Sequence, residues 1–280
     1  MLASPSSSSA PTSNGDLVRI QNLSKRFGGL LAVDDVSFSI AANKITALIG
    51  PNGAGKTTVF NCLTGFYRPT SGSITAFTRG QTHNLAQLRP DEIGPKAGLS
   101  RTFQNIRLLK RLSVLENVLA AQHSALMRAS GFSIAGLLQF PAWRRAEKAA
   151  IEKARFWLDK LELIPYADHE AGSLPYGAQR RLEIARALCM EPELLCLDEP
   201  VAGLNPKESS ALATFLHELH KERGFSILLI EHDMSVVMGI SDHIVVLDHG
   251  AKIAEGKPEE VRQNRDVIKA YLGEDSDAAA

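Results

Sequence analysis

Neither sign of charge prevails in this 280-residue chain: lysine plus arginine and aspartate plus glutamate both number 31. That balance excludes bulk electrostatic attraction as the basis for binding nucleic acid or an acidic membrane surface. Long apolar runs are missing too. None approaches the roughly 18–20 residues that a membrane span requires, and Met1 is followed by serine, proline and alanine rather than by a signal-peptide hydrophobic segment. Cysteine is scarce. Cys62, Cys189 and Cys196 are odd in number, far apart and set in apolar surroundings. They read as buried thiols in a reducing cytoplasm, with no disulfide framework and no metal-ligand spacing. What remains, 44% apolar and 22% charged residues, is ordinary globular composition with core enough for one large domain or two modest ones.

Two segments carry chemistry. Gly50-Pro51-Asn52-Gly53-Ala54-Gly55-Lys56-Thr57-Thr58 fits the G-x-x-x-x-G-K-[ST] phosphate loop. It follows the apolar run Ile45 to Ile49, a strand, and opens a helix through Leu63, which is the context the loop needs. Glycine backbone geometry turns successive N–H groups around phosphate oxygens, and the helix N-terminus adds partial positive charge. Lys56 is placed for the β- and γ-phosphates and the Thr57 hydroxyl for a magnesium ion. The second segment, Leu194 to Pro200, is a buried strand ending in Asp198 and Glu199. The carboxyl end of such a strand is where α/β folds place ligands. Asp198 would coordinate magnesium and Glu199 would polarise an attacking water. His232 stands at the exit of another apolar strand, Ser226 to Ile230, from where its ring would approach a γ-phosphate. These residues predict binding and hydrolysis of a nucleoside triphosphate.

Alternating apolar residues predict strands at Leu17 to Ile20, Ala32 to Ile40 and Gly72 to Phe77. Helical spacing begins at Val114, is interrupted by a glycine- and proline-bearing stretch from Ser130 to Pro141, and resumes from Trp143 to Leu163. Trp143, Phe156 and Trp157 are expected to fill a local core. After Gly177 a helix to about Met190 opens a strand–helix alternation that argues for a largely parallel, helix-covered sheet.

The phosphate loop, Gln104, the segment Leu174-Pro175-Tyr176-Gly177-Ala178-Gln179-Arg180, Asp198-Glu199 and His232, in that order, resemble the ATP-binding cassette family, the motor subunits of transporters. The resemblance covers residues 17–273. It implies an α/β fold: a P-loop cassette with a mainly parallel β-sheet core, an N-terminal antiparallel β part and an inserted α-helical subdomain. The implied organisation is a disordered tail over 1–16, a nucleotide-binding core over 17–104 and 176–256, and a helical subdomain over 105–175 that receives transmembrane subunits. A C-terminal helix over 257–273 and a disordered tail over 274–280 complete it. The family pattern further implies a head-to-tail dimer with two ATP molecules, each held between one subunit's phosphate loop and the other's signature segment. Phe27 would then stack on adenine, and Gly50, Pro51, Asn52, Gly53, Ala54, Gly55, Lys56, Thr57 and Thr58 would hold the phosphates. Tyr176, Gly177 and Gln179 would face the other subunit's nucleotide. Thr57, Gln104 and Asp198 would serve Mg2+, and Glu199, His232, Gln104 and Lys56 would carry catalysis. Ala202-Gly203-Leu204-Asn205 falls at the loop crossing the dimer interface.

Finer features, among them Arg26-Phe27-Gly28-Gly29-Leu30, Arg101-Thr102-Phe103-Gln104, Arg181-Leu182-Glu183-Ile184-Ala185-Arg186 and Glu231-His232-Asp233-Met234, look like the first ATP-binding subunit of branched-chain amino-acid importers. That group implies a peripheral place on the cytoplasmic side of the bacterial inner membrane. Its partners would be a second, different cassette ATPase (a homodimer in isolation being the alternative), two transmembrane permease subunits and a periplasmic or lipid-anchored solute-binding protein; no nucleic acid is expected. The same group includes importers of urea and short amides, and a non-transport or regulatory cassette is the remaining reading. Two departures stand out. The family's usual Leu-Ser-Gly-Gly-Gln is here Leu174-Pro175-Tyr176-Gly177-Ala178, and Asn205 replaces an aspartate. Pro175 forfeits a hydroxyl and a backbone donor at a phosphate-facing helix start, a charged hydrogen bond typically worth about 1.5–3 kcal/mol. Unequal ATP sites follow as an expectation. Arg101, Arg107, Lys110 and Arg111 read as a solvated or permease-facing basic rim, and Phe103, Ile106 and Leu108 as permease contacts.

Overall fold

A computed structural model describes residues 15–123 and 141–277. The expected tail up to residue 14, the interrupted stretch over 130–140 and the last three residues lie outside the described residues. Among the described residues ten strands form two sheets. An antiparallel sheet has β1 (Asp16–Phe27), β2 (Leu30–Ala41), β4 (Ser71–Thr78) and β5 (Gln81–Asn84) in the order β2-β1-β4-β5. The second sheet has β3 (Ile45–Ile49), β6 (Leu99–Arg101), β7 (Leu194–Asp198), β8 (Ser226–Ile230), β9 (His243–Asp248) and β10 (Ala251–Gly256) in the order β10-β9-β3-β8-β7-β6. It is parallel from β9 to β6, with β10 antiparallel at one edge.

The largely apolar runs of β3, β7 and β8 follow from burial on both faces, with Thr46 and Ser226 buried among them. Side chains alternate faces along a strand, and the packing divides accordingly. Leu194, Cys196, Leu228 and Ile230 join Val18, Ile20, Val36 and Ile74 of the antiparallel sheet around Val59, Phe60 and Leu63 of α1 (Lys56–Leu63). Leu195, Leu197, Ile227 and Leu229 face the helices α3 (Val114–Ala121), α4 (Pro141–Lys160), α5 (Tyr176–Leu188) and α6 (Pro206–Arg223). A third cluster places Ala47, Ile49, Ile244 and Val246 against α7 (Met234–Ile240) and the C-terminal segment. All three cysteines are free and buried, and burial pushes the Cys62 thiol to about 11 and those of Cys189 and Cys196 to about 12.

Several expectations change in detail. Strand β1 runs seven residues past Ile20 to Phe27, because β2 pairs with it along that length and β4 as far as Ser24, with register shifts absorbing the irregular pattern. Three elements between β4 and residue 102 carried no clear period: β5, α2 (Pro90–Ala97) and the three-residue β6. Helix α2 contains Gly94 and Pro95, both unfavourable in a helix interior. Trp157 is buried in the helical core as expected, whereas Trp143 is only half-buried. The C-terminal segment is two helices, α8 (Pro258–Gln263) and α9 (Arg265–Asp277). Asn264 has extended backbone that ends the first, and its side-chain oxygen accepts from the Asp266 N–H at 2.8 Å to start the second. Helix therefore covers residues 274–277, where a tail was expected.

Candidate nucleotide site

Strands β3, β8, β7 and β6 are neighbours, so their carboxyl ends deliver the phosphate loop, His232, Asp198-Glu199 and Gln104 to one edge of the sheet. The loop leaves β3 at Gly50, whose φ is 147°, and enters α1 through Gly55 in the left-handed region at φ 95°. A Cβ on Gly50 would stand 2.0 Å from the Leu247 carbonyl oxygen, so the loop lies directly on β9. Lys56 Nζ donates to the Gly50 and Pro51 carbonyls at 2.6 and 2.8 Å, folding the lysine over its own loop. Asn52, Gly53 and Thr57 are exposed on it, and Thr58 is half-buried.

Gln104 and Glu199, 95 residues apart in the chain, meet: Gln104 Nε2 donates to Glu199 Oε2 at 3.0 Å. Glu199 sits in the left-handed region at φ 48°, a conformation that costs a non-glycine residue on the order of 1–3 kcal/mol. Its N–H donates to the Ile230 carbonyl at 2.9 Å and its carbonyl accepts from Ala202 N–H at 3.2 Å, so the ends of β7 and β8 together impose it. His232 Nδ1 lies 4.0 Å from Glu199 Oε1, close but outside hydrogen-bond distance, and the ring is largely exposed. A residue quoted in the sequence only as part of a motif, and given no role there, supports this arrangement. Buried Glu231 accepts from Val201 N–H at 3.1 Å and from His232 N–H at 3.0 Å, tying the interface loop to the histidine turn. Burial raises its carboxyl above the usual range. The one available signal was a carboxylate continuing an apolar strand.

Arg101 is not part of a solvated rim. Its side chain is 11% exposed, with Nη2 3.6 Å from Asp198 Oδ2. Nη1 donates to Asn61 Oδ1 and Thr64 Oγ1 at 2.8 and 2.7 Å, and the guanidinium lies within 4.8 Å of the Phe60, Phe66 and Phe103 ring centres. The misreading arose because Arg107, Lys110 and Arg111, which are exposed, share its stretch of chain. Even with Arg101 beside it, burial pushes the Asp198 carboxyl from 3.8 to about 6. A carboxyl raised on folding contributes stability below about pH 4 that is lost as pH rises through 6. Without nucleotide or divalent cation, Asp198→Asn is therefore expected to gain on the order of 1–3 kcal/mol at pH 8. The gain should shrink as pH falls below 6. Denaturant unfolding of both proteins at pH 8 and pH 5 checks this; an equal gain at both would show that charge burial is not the cause.

Tyr176, Gly177 and Gln179 belong to a different surface, the start of α5. Pro175 is its N-cap and provides no side-chain cap. Gly177 faces Leu204, and the Tyr176 ring covers Gly203 of the interface loop. Gln179 turns back, its Nε2 donating to the Leu174 carbonyl at 2.8 Å. A cavity of about 370 Å³ beneath this segment is lined by Leu161, Pro175, Ala178, Leu212 and Phe215. Asn205 caps α6 by a reciprocal pair with Glu208, at 3.0 and 3.1 Å. Asparagine does this as well as aspartate, which accounts for the departure. Phe27, half out in solvent, packs edge-on against Tyr67 at 5.1 Å between ring centres, with Lys25 Nζ 4.8 Å over the Phe27 ring. Tyr67 lies outside every motif, so the sequence carried no signal of this contact.

A glycine loop lying on β9, a lysine over it, and a carboxylate pair with glutamine and histidine at the neighbouring strand ends define a P-loop nucleotide hydrolase. The chain belongs to the ABC transporter family, whose profile matches residues 33–202, and is an ATP-binding cassette, the ATPase that drives a transporter. A second profile, "Branched-chain amino acid ATP-binding cassette transporter", matches residues 251–277, which cover β10 and the two terminal helices. The chain is 52% identical over 258 residues to the high-affinity branched-chain amino acid transport ATP-binding protein LivG of Salmonella typhimurium, covering 92% of this chain and 98% of LivG. It is 51% identical, with the same coverage, to BraF of Pseudomonas aeruginosa, which carries the same description. Among solved structures, the ADP conformation of MJ1267, an ATP-binding cassette of an ABC transporter, aligns with TM-score 0.76 at 33% identity, over 92% of this chain and 99% of that one.

Proposed function

We propose that this chain energises import of branched-chain amino acids, as one cassette of a complex with two permeases and an external solute-binding protein. The observation that carries this reading is the identity of about half the residues with LivG and BraF across nearly their whole length. Lys56 and the loop amides hold the phosphates, Phe27 with Tyr67 receives the adenine, Glu199 takes the proton of the attacking water, and Gln104 and His232 orient water and γ-phosphate. The Thr57 hydroxyl and the Asp198 carboxylate are hard oxygen donors of the kind that fit Mg2+ held mainly by phosphate oxygens. The poorly compensated burial of Asp198 suits it to meet a cation. That ion would neutralise charge on the phosphoryl group during transfer.

Among the described residues no helix is long and apolar enough to cross a membrane, so in this reading membrane attachment comes from permeases. Half-buried Phe103, Ile106 and Leu108, with exposed Phe66, Leu109 and Leu112, offer them an apolar surface. Affinity isolation from mildly solubilised membranes should recover a second cassette ATPase, two multi-span permeases and a solute-binding protein that takes up leucine, isoleucine or valine. A binding protein selective for urea or amides would redirect the solute, and recovery with no membrane protein would remove the transport reading. Pro175→Ser is expected to raise turnover of the assembled complex by up to about tenfold, the equivalent of one charged hydrogen bond at the lower end of its range. Unchanged turnover and ATP affinity would end the case for unequal sites.

A further inference from the structure

We propose that Arg180 and Glu183 tether the Gln104 segment to helix α5, acting as positioning residues that link the signature surface to the hydrolytic end of the chain's own site. The inference rests on the reading of Gln104 and Glu199 given above and adds a route between the two surfaces. Residues 102–109 form neither helix nor strand, so the backbone groups there need partners from elsewhere. Helix α5 supplies them. Arg180, whose side chain is fully buried, donates through Nη1 to the Phe103 carbonyl at 2.9 Å and to Glu183 Oε2 at 3.0 Å. Its Nη2 donates to the Gln104 carbonyl at 3.0 Å and to the Tyr176 hydroxyl at 3.1 Å. Glu183 Oε1 accepts from the Phe103 and Arg107 N–H groups at 3.1 and 3.4 Å. One turn on, Arg186 donates to the Arg107 carbonyl. Side chains of one helix thus hold the backbone on both sides of Gln104.

A buried ion pair is a costly way to hold a loop, because desolvation offsets most of the attraction, and apolar residues of similar volume are often as stabilising. Here burial lies first among the causes acting on Glu183, raising its carboxyl above the usual range despite Arg180 and the two amides. What the pair provides, and apolar residues would not, is a fork that fixes two consecutive carbonyls at once. The Gln104 side chain then reaches Glu199 at 3.0 Å. At the other end of the same fork stands Tyr176, on the surface read as facing the second nucleotide and packed on Gly203 of the interface loop. A shift of α5 when that surface closes would pass through Arg180 to the Gln104 backbone, and so to Glu199.

A double-mutant cycle on the full-length chain tests the tether, since residues acting through one another are non-additive. Arg180→Lys keeps the charge and loses the fork. It is expected to lower kcat about tenfold and to leave ATP affinity, read by equilibrium titration, within about twofold. In a Gln104→Ala background the same substitution should change kcat by less than about twofold. Hydrogen exchange at the Phe103 and Arg107 amides should quicken in Arg180→Lys while the α1 amides stay protected. If that variant does not fold, Glu183→Gln, which retains an acceptor oxygen for both amides, runs the same cycle. Equal loss of kcat from the tether substitution in both backgrounds, or unaltered exchange at the two amides, would overturn the proposal. Gln104→Ala with undiminished kcat would instead count against Gln104 as a site residue, with the exchange measurement still judging the tether.

Discussion

Glu199→Gln is expected to lower ATP turnover by two to four orders of magnitude, the range spanned by general-base catalysis, and to leave nucleotide affinity within a factor of a few. The two effects separate because different elements carry them. In the proposed site the phosphates are held by the loop after β3 and by Lys56, whereas Glu199 follows β7, with β8 lying between the two strands. The glutamate is placed by its N–H bond to Ile230 and by the Gln104 amide. Glutamine keeps the size and an acceptor oxygen, so the backbone at φ 48° and the contact to Gln104 are retained. Only the negative charge and proton affinity go. Single-turnover kinetics beside equilibrium titration of ATP makes the comparison, and turnover above about a tenth of the parent would move the role of base away from Glu199.

Gly50→Ala should be the most damaging small substitution in the phosphate loop, costing about 3–5 kcal/mol of stability and abolishing measurable nucleotide binding. At φ 147° the new Cβ would lie 2.0 Å from the Leu247 carbonyl oxygen and 3.1 Å from the Ala54 Cβ. The first neighbour is backbone of a strand paired on both sides, by β3 and β10, so it has no room to yield. Gly53→Ala is the control. Its φ of 79° is also strained for alanine, but a Cβ there meets nothing within 4 Å, so only the backbone term of about 1–2 kcal/mol remains. Denaturant midpoints for the two variants measure the difference. Equal losses would mean that the close approach to β9 is not what the glycine serves.

The legible parts of the fold were those whose signal is local. Strands β3 and β8 have the bounds their runs predict, because a strand buried on both faces is apolar at nearly every position. The illegible parts depend on partners remote in sequence. Strand β6 has three residues and exists through its pairing with β7. The outer half of β1 persists because β2 pairs with it as far as Phe27 and β4 as far as Ser24. Charge misled for a similar reason: Arg101 sits in a basic stretch, yet three phenylalanine rings and Asp198 surround its guanidinium.

By itself the sequence determined the phosphate loop, the carboxylate pair and the family, since each depends on residue types at fixed spacing along a continuous segment. Tertiary structure alone decided that Gln104 reaches Glu199, that Glu231 accepts from the Val201 N–H, that Arg101 turns inward and that Arg180 grips the Gln104 backbone. Those contacts join residues whose separation in the chain carries no record of their distance in space. Only the order of the parallel strands, with β3, β8, β7 and β6 side by side, brings their ends together.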